Sequence, residues 1–93
     1  MLVKFTIRIW SPILQPKNGQ NNYTQLYKSV ELPYVPTIGM TFGGNRVNYV
    51  NGFFEKPNDI LVVFDTVNMD KEDSLESYTW LVESYVKEGW VKS

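Results

Sequence analysis

Hydrophobic and polar residues alternate along the first ten positions of the chain. Positions 3, 5, 7 and 9 are Val, Phe, Ile and Ile, whereas Lys4, Thr6 and Arg8 stand between them and Trp10 follows. A period of two is typical of a β-strand that turns one face to the core and the other to water. We therefore predict a first strand that ends before Pro12, with Lys4, Arg8 and Trp10 on its solvent face.

The next strands are predicted from the turn-forming residues between them. A polar loop from Ser11 to Asn22 leads to a second strand from Tyr23 to Leu32, and a stiff crossing segment with two prolines follows at positions 33 to 39. Residues Gly43–Arg46 then separate two short β-rich arms, which is the composition of a hairpin turn. Gly52 predicts a bulge or sharp bend in the second arm.

The C-terminal part of the chain is predicted to form one more strand and a helix. A turn at Lys56–Asp59 precedes a β-branched run from Ile60 to Val67. Apolar residues then recur at helical spacing from position 75 to position 86. Asp73, followed by Glu76, suits the N-cap of this helix, and Gly89 suits the residue that follows its C-cap.

Two tryptophans near this helix are predicted to have opposite environments. Trp90 comes directly after the glycine, so it should pack on Tyr85 where the helix ends. Trp80 falls roughly opposite the apolar stripe when successive residues turn by about 100°. We therefore expect Trp80 to be exposed, or to dock on something outside its own helix.

The order of these elements predicts an α+β fold in a single domain over residues 1–93. We expect a small, bent, antiparallel five-stranded sheet, or an SH3-like partly open barrel, with one C-terminal helix that closes one face or one open end. Three Trp, six Tyr and five Phe supply the apolar area that so short a chain needs for its core.

The middle third of the chain, residues 30–65, carries a proline and glycine pattern between β-rich segments. Its members are Leu32-Pro33, Pro36, Ile38-Gly39, a glycine turn, Val47-Asn48-Tyr49-Val50 and Ile60-Leu61-Val62-Val63. This pattern resembles that of short uncharacterised bacterial and phage proteins, which are typically small β domains without an assigned activity. The resemblance implies a fold type and no functional residue.

The residues that most catalytic and metal sites use are absent from the sequence. The chain has no His and no Cys, which removes the side chain that titrates near neutral pH, the thiolate nucleophile and the usual zinc ligands. The acidic run from Asp65 to Asp73 lacks the spacing of a calcium loop, and it suits a solvated turn before a helix. We therefore expect no catalytic residue, no metal site and no cofactor, and we expect that the protein is not an enzyme.

The apolar runs of the chain are too short for a membrane span. The longest purely apolar stretch is Ile60–Phe64, and Lys4 and Arg8 interrupt any leader-like segment at the N-terminus. We expect a cytoplasmic protein without a membrane partner.

Exposed aromatic residues favour a binding module for another protein, or for a second copy of this chain. Tryptophan and tyrosine are enriched at the centres of protein interfaces. Trp10 and Trp80 are predicted on wet faces and Tyr34 in the proline-rich crossing, so these three are the candidate interaction residues. An unpaired strand edge offers a second route, in which two copies pair as a homodimer.

An alternative is a single-stranded nucleic-acid-binding barrel. Such proteins combine a basic groove with stacking aromatic rings, and the candidate residues here are Lys4, Arg8, Trp10, Lys28 and Arg46. The sequence isoelectric point of about 5.3 counts against it, because phosphate contacts usually dominate such binding. A third possibility uses the acidic helix, which would dock on a basic partner or mimic a nucleic acid; its residues are Asp70, Glu72, Asp73, Glu76, Glu83 and Glu88.

Overall fold

The computed structural model describes residues 2–13, 23–53, 56–70 and 72–92. It contains seven strands and one helix within these ranges. They are β1 (Leu2–Trp10), β2 (Tyr23–Glu31), β3 (Thr41–Phe42), β4 (Asn45–Phe53), β5 (Lys56–Phe64), β6 (Val67–Asn68), α1 (Leu75–Lys87) and β7 (Val91–Lys92).

Strand β1 lies inside the sheet and organises it. The order of the strands is β3-β4-β5-β1-β2-β7, and β6 pairs with β1 beyond the end of β5. β1 is antiparallel to β2 and parallel to β5. The segment between β2 and β3 carries the chain across the sheet, so the hairpin β4–β5 joins β1 on the side away from β2.

The predicted α+β fold, a curled and partly open sheet with one C-terminal helix, is confirmed. Two details differ from the prediction. The sheet is mixed rather than antiparallel, and its described part has seven strands rather than five. The direction differs because alternation of apolar residues fixes which face of a strand is buried but not the direction of its neighbour. The number differs because the strand predicted from Ile60 to Val67 is divided into β5 and β6, and Val91–Lys92 adds β7.

The core fills the inner face of the curled sheet. The odd-numbered residues of β1 from Val3 to Ile9 are buried there, together with Leu26 from β2 and Val62 from β5. Helix α1 adds Tyr78 and Val82 to the same cluster. The helix therefore covers the inner face, as its apolar stripe predicts.

Glycine residues form the tight turn between β3 and β4. Gly43 and Gly44 have φ angles of 58° and 86°, a conformation that residues with a side chain rarely adopt. Two consecutive positive φ angles are those of a type I′ hairpin turn, which matches the twist of the strands that it joins. The predicted hairpin is confirmed, with a two-residue turn in place of the longer one expected.

The helix ends as predicted but begins one residue later. Ser74, not Asp73, is the N-cap, because its Oγ accepts a hydrogen bond from the backbone N–H of Ser77 at 3.1 Å. The Asp73 carboxylate instead accepts from the N–H of Asp70 at 2.9 Å. At the other end Gly89, with φ of 100°, lets the N–H of Trp90 reach the carbonyl oxygen of Tyr85 at 3.1 Å.

Two loop predictions need a correction or fall outside the structure. The turn predicted at Lys56–Asp59 is wrong, because these residues open strand β5. The pairing of β5 with β1 begins at Ile60, so the missing N–H of Pro57 falls outside that pairing. The polar loop predicted from Ser11 to Asn22 lies, from position 14 onward, outside the described residues.

Gly52 lies where β4 passes very close to β5. The register of the two strands shifts between Asn51 and Phe53, so the predicted bulge is confirmed. A Cβ atom at Gly52 would stand 2.9 Å from Cγ1 and 3.0 Å from Cα of Ile60. One of these atoms belongs to the backbone, so a side-chain rotation alone does not relieve the clash.

Replacing Gly52 by alanine should lower the free energy of unfolding by about 1–3 kcal/mol, the usual cost of overpacking. Urea denaturation measures this change. Adding Ile60→Val should not restore the loss, since valine keeps the γ-carbon, the Cβ and the Cα that the new side chain meets. An alanine variant as stable as the unmodified protein would show that the two strands are further apart than described.

Candidate functional site

The sheet separates two surfaces of different chemistry. Helix α1 is fixed to the inner face, where the Tyr78 hydroxyl donates a hydrogen bond to the carbonyl oxygen of Ile9 at 3.1 Å and also contacts the Thr24 hydroxyl. The even-numbered residues of β1 lie on the opposite, outer face. The strand register places Tyr23 and Tyr27 of β2 on that face as well.

Charge is divided between these two sides. The helix and the turn before it carry six acidic residues, which are Asp70, Glu72, Asp73, Glu76, Glu83 and Glu88. The outer face carries the exposed cations Lys4 and Arg8 on its central strand. The net charge is only −1, but the charges are unevenly distributed, with one acidic side and one side that has exposed cations.

A groove runs beside the exposed tryptophan of the helix. Trp80 is 71% exposed, as the helical spacing predicts. The groove has a volume of about 470 Å³, and Met69, Trp80 and Leu81 supply its apolar walls. Ser74, Glu76 and Ser77 supply its polar rim.

Two cations on the outer face lie over tyrosine rings. The Nζ of Lys4 is 4.4 Å from the centre of the Tyr27 ring, and the guanidinium carbon of Arg8 is 4.9 Å from the centre of the Tyr23 ring. In both pairs the tyrosine lies diagonally across β2, two residues before the direct partner of the cation. These are cation–π contacts, which hold each charge in place at the surface.

Trp10 lies next to the second of these pairs. It is half-buried and stands directly opposite Tyr23 in the register of β1 and β2. A shallow pocket of about 430 Å³ lies here, lined by Arg8, Trp10, Tyr23, Thr66 and Asn68. The pocket thus combines a guanidinium group, two aromatic rings, a side-chain amide and a hydroxyl.

Lys28, one of the residues predicted to bind nucleic acid, does not lie on the same face as the others. Lys28 pairs with Phe5 and lies on the inner side of β2, where its Nζ donates to the carbonyl oxygen of Glu88 at 2.7 Å. It neutralises the negative end of the helix dipole there. Arg46 stands on β4, 3.9 Å from an Asp65 carboxylate oxygen. Lys4, Arg8 and Trp10 share the outer face of β1, but only Arg8 and Trp10 line the same pocket.

The three residues predicted for protein interaction do not form one patch. Trp80 lies on the helix side of the sheet and Trp10 on the outer face. Tyr34 is 44% exposed in the segment between β2 and β3, and it lines neither the groove beside Trp80 nor the pocket beside Trp10. The sequence did not indicate Met69, Leu81, Tyr23 or Tyr27 as neighbours of the predicted residues.

Strand β4 has an exposed edge. Within the described ranges, no strand pairs with β4 beyond Val47 on the side away from β5. Tyr49 is exposed on this part of the strand, which carries no charged residue from Val47 to Phe53. The homodimer through a strand edge stays a prediction, and β4 is the edge that suits it.

Tyr85 links the helix to the hairpin. Its hydroxyl donates a hydrogen bond to Oδ1 of Asn45 at 3.1 Å. Burial raises the pKa of the Tyr85 phenol, the hydrogen bond to Asn45 opposes this rise, and the Glu88 carboxylate adds to it. The phenol therefore stays neutral at ordinary pH, and its contribution to stability is lost only as the pH rises above the usual tyrosine pKa of about 10.

No group of three or more acidic side chains in the described part of the chain is placed to hold a metal ion. In the same residues, no helix is both long enough and apolar enough to cross a membrane. Comparison of the chain with protein-family models, curated protein sequences and solved structures found no match. The resemblance of residues 30–65 to small bacterial and phage β domains stays a prediction.

Proposed function

We propose that this protein is a non-catalytic binding module that recognises another protein through the groove beside Trp80. The observation that carries the proposal is the exposure of Trp80 on a well-formed helix, next to a groove with apolar walls. Tryptophan is the residue type most enriched among those that dominate binding energy at protein interfaces. A tryptophan with 71% exposure contributes little to the fold and is available to a partner.

The walls of the groove define the part of the partner that enters it. Met69 and Leu81 are both half-buried and adjoin the core cluster, so the floor of the groove is held in place. The unbranched methionine side chain adapts to ligands of different shape. One aliphatic or aromatic side chain of the partner fits between these residues and Trp80.

The charge around the groove defines the sequence that flanks this anchor. Glu76 lies on the rim, and Asp70, Glu72 and Asp73 precede the helix at the same end. Of the cations whose side chains are described, Lys4 and Arg8 lie on the outer face and Arg46 on β4. Lys28, Lys87 and Lys92 lie toward the end of the helix. Lys71 is the one basic residue in the sequence between Asp70 and Glu76. A basic segment is therefore attracted to the groove and an acidic one is repelled.

Replacing Trp80 by serine should weaken binding of a basic peptide that carries one leucine or phenylalanine by about 10- to 30-fold, as expected for a residue that dominates an interface. The probe is a fluorescently labelled peptide with Lys and Arg on both sides of the anchor, followed by fluorescence anisotropy. Glu76→Lys should weaken binding mainly at low salt, since its contribution is electrostatic.

Leu75 provides a matched control for Trp80. It is 61% exposed on the same helix but does not line the groove. Leu75→Ser should therefore leave peptide affinity within about twofold, because scattered exposed apolar residues carry no special role. Equal losses in the Trp80 and Leu75 variants, or binding of a peptide without the apolar anchor as tight as that of the parent peptide, would contradict the proposal.

A further inference from the structure

The outer face of the sheet carries a second binding surface that the groove does not use. Its central feature is the pocket between Arg8, Trp10 and Tyr23, with Lys4 over Tyr27 further along the same strand. Arg8 and Lys4 are separated by four residues, about 13 Å along a β-strand. We propose that this surface, the cation–tyrosine face, binds single-stranded nucleic acid.

The chemistry of the pocket matches the parts of an unpaired nucleotide. Aromatic rings offer a stacking surface for a base, and a guanidinium group binds phosphate oxygens through paired hydrogen bonds. The Asn68 amide and the Thr66 hydroxyl line the same pocket and supply donors and acceptors for a base edge. A polyanion without bases would use only the cations of this surface.

The two cation–tyrosine pairs present charge in a fixed position. A lysine or arginine that is free in water loses side-chain entropy when it binds a phosphate. Lys4 and Arg8 already lie over tyrosine rings in the unbound protein, at 4.4 and 4.9 Å from the ring centres. These side chains therefore lose less conformational entropy on binding. Because the pair occurs twice along the strand, the surface suits a ligand with regularly repeated negative charges.

The acidic composition of the protein does not oppose this inference, because the acidic residues lie mainly on the other side of the sheet. The helix and the turn before it hold six of them, and the helix packs on the inner face. Glu31 lies on the outer face by register, and Asp65 lies 3.9 Å from the Arg46 guanidinium. Affinity should accordingly be modest and strongly dependent on salt.

The experiment measures the binding of a labelled single-stranded DNA of mixed sequence by anisotropy, over a series of salt concentrations from about 50 mM upward. Arg8→Ala and Lys4→Ala should each weaken binding and lower the slope of log affinity against log salt by about one. Tyr23→Leu should weaken binding about 5- to 100-fold at every salt concentration, because stacking does not depend on counterions.

Lys28→Ala is the matched control, since it removes the same charge from the inner side of the neighbouring strand. It should leave both the affinity and the salt slope unchanged. Arg8→Lys separates charge from stacking, and it should retain the salt slope while losing part of the affinity. Circular dichroism on each variant confirms that the fold is intact, and Arg8 is exposed, so its replacement is not expected to unfold the protein.

Four results would overturn the inference. The first is the absence of any anisotropy change with single-stranded DNA and RNA at about 50 mM salt. The second is binding of a duplex, or of inorganic polyphosphate, as tight as that of the single strand. The third is a loss of affinity in Lys28→Ala equal to that in Arg8→Ala, and the fourth is self-association at low salt that Glu76→Lys abolishes. The last result would identify the acidic helix of a second copy as the occupant. The first three outcomes do not bear on the groove beside Trp80, which is tested with peptides. The fourth would also identify the outer face of a second copy as a partner of the groove rim, on which Glu76 lies.

Discussion

Replacing Trp90 by alanine should lower the free energy of unfolding by about 3–5 kcal/mol, the usual cost of removing a buried large aromatic side chain. Trp90 is only 7% exposed. Its ring centre is 5.6 Å from that of Tyr85 and 6.2 Å from that of Phe64, so it joins the end of the helix to the sheet. The total free energy of unfolding of a native domain is about 5–15 kcal/mol, so this loss is a large part of it.

Chemical denaturation, followed by far-ultraviolet circular dichroism, measures the effect, and Trp80→Ala is the matched control. The control removes the same side chain from an exposed helical position, so its stability should stay within about 0.5 kcal/mol of that of the parent. Trp90→Phe gives an intermediate case if the alanine variant does not fold. Similar losses at positions 80 and 90 would contradict the description of one tryptophan as buried and the other as exposed.

Replacing Phe5 by alanine should also cost about 3–5 kcal/mol. Phe5 is 5% exposed in the central strand β1, and its ring centre lies 5.1 Å from that of Phe42 and 5.0 Å from that of Phe64. The rings meet at tilted or edge-on angles of 46° and 60°, which are favourable for aromatic pairs. The loss therefore combines burial with two ring contacts.

A double-mutant cycle separates these two contributions. The coupling energy between Phe5→Leu and Phe42→Leu should be about 0.5–1.5 kcal/mol, the usual value for an aromatic pair. Lys4→Ala, at the next position on the outer face, is a control that should change stability by less than about 0.5–1 kcal/mol. Additive losses at Phe5 and Phe42 would show that their rings do not interact.

The parts of the fold that depend on neighbouring residues in the chain could be predicted from the sequence. The alternation of β1 identifies its buried face, and the glycine pair at positions 43 and 44 identifies the hairpin. Gly89 followed by Trp90 identifies the end of the helix. Each of these signals uses a conformational preference that acts within a few residues.

Features that depend on distant strands could not be predicted in the same way. The parallel pairing of β1 with β5 follows from the path of the crossing segment, which the local pattern does not encode.

The start of the helix differs from the prediction by one residue, since Asp73 and Ser74 are both good N-cap residues and stand side by side. Only the structure shows which of the two side chains accepts a hydrogen bond from a backbone N–H of the first helical turn.

The candidate sites show the same division. The exposure of Trp80 follows from helical spacing alone, whereas its groove needs Met69, which lies before the helix and outside its periodicity. The contact of Arg8 with Tyr23 depends on the register of β1 and β2, which the residue pattern of either strand alone does not fix. The position of Lys28 was available from sequence, because it has the same parity along β2 as the buried Leu26.

The central claim, a groove that recognises a basic segment with an apolar anchor, is tested most directly by selection from a random displayed-peptide library. Peptides selected on the unmodified protein and then depleted on the Trp80→Ser variant should be rich in Lys and Arg around one aliphatic or aromatic residue. Their binding should place the indole N–H of Trp80 in a new environment, seen as a shift of its nuclear magnetic resonance signal. Selected peptides that bind the Trp80→Ser variant equally well, or that share no basic and apolar pattern, would contradict the claim.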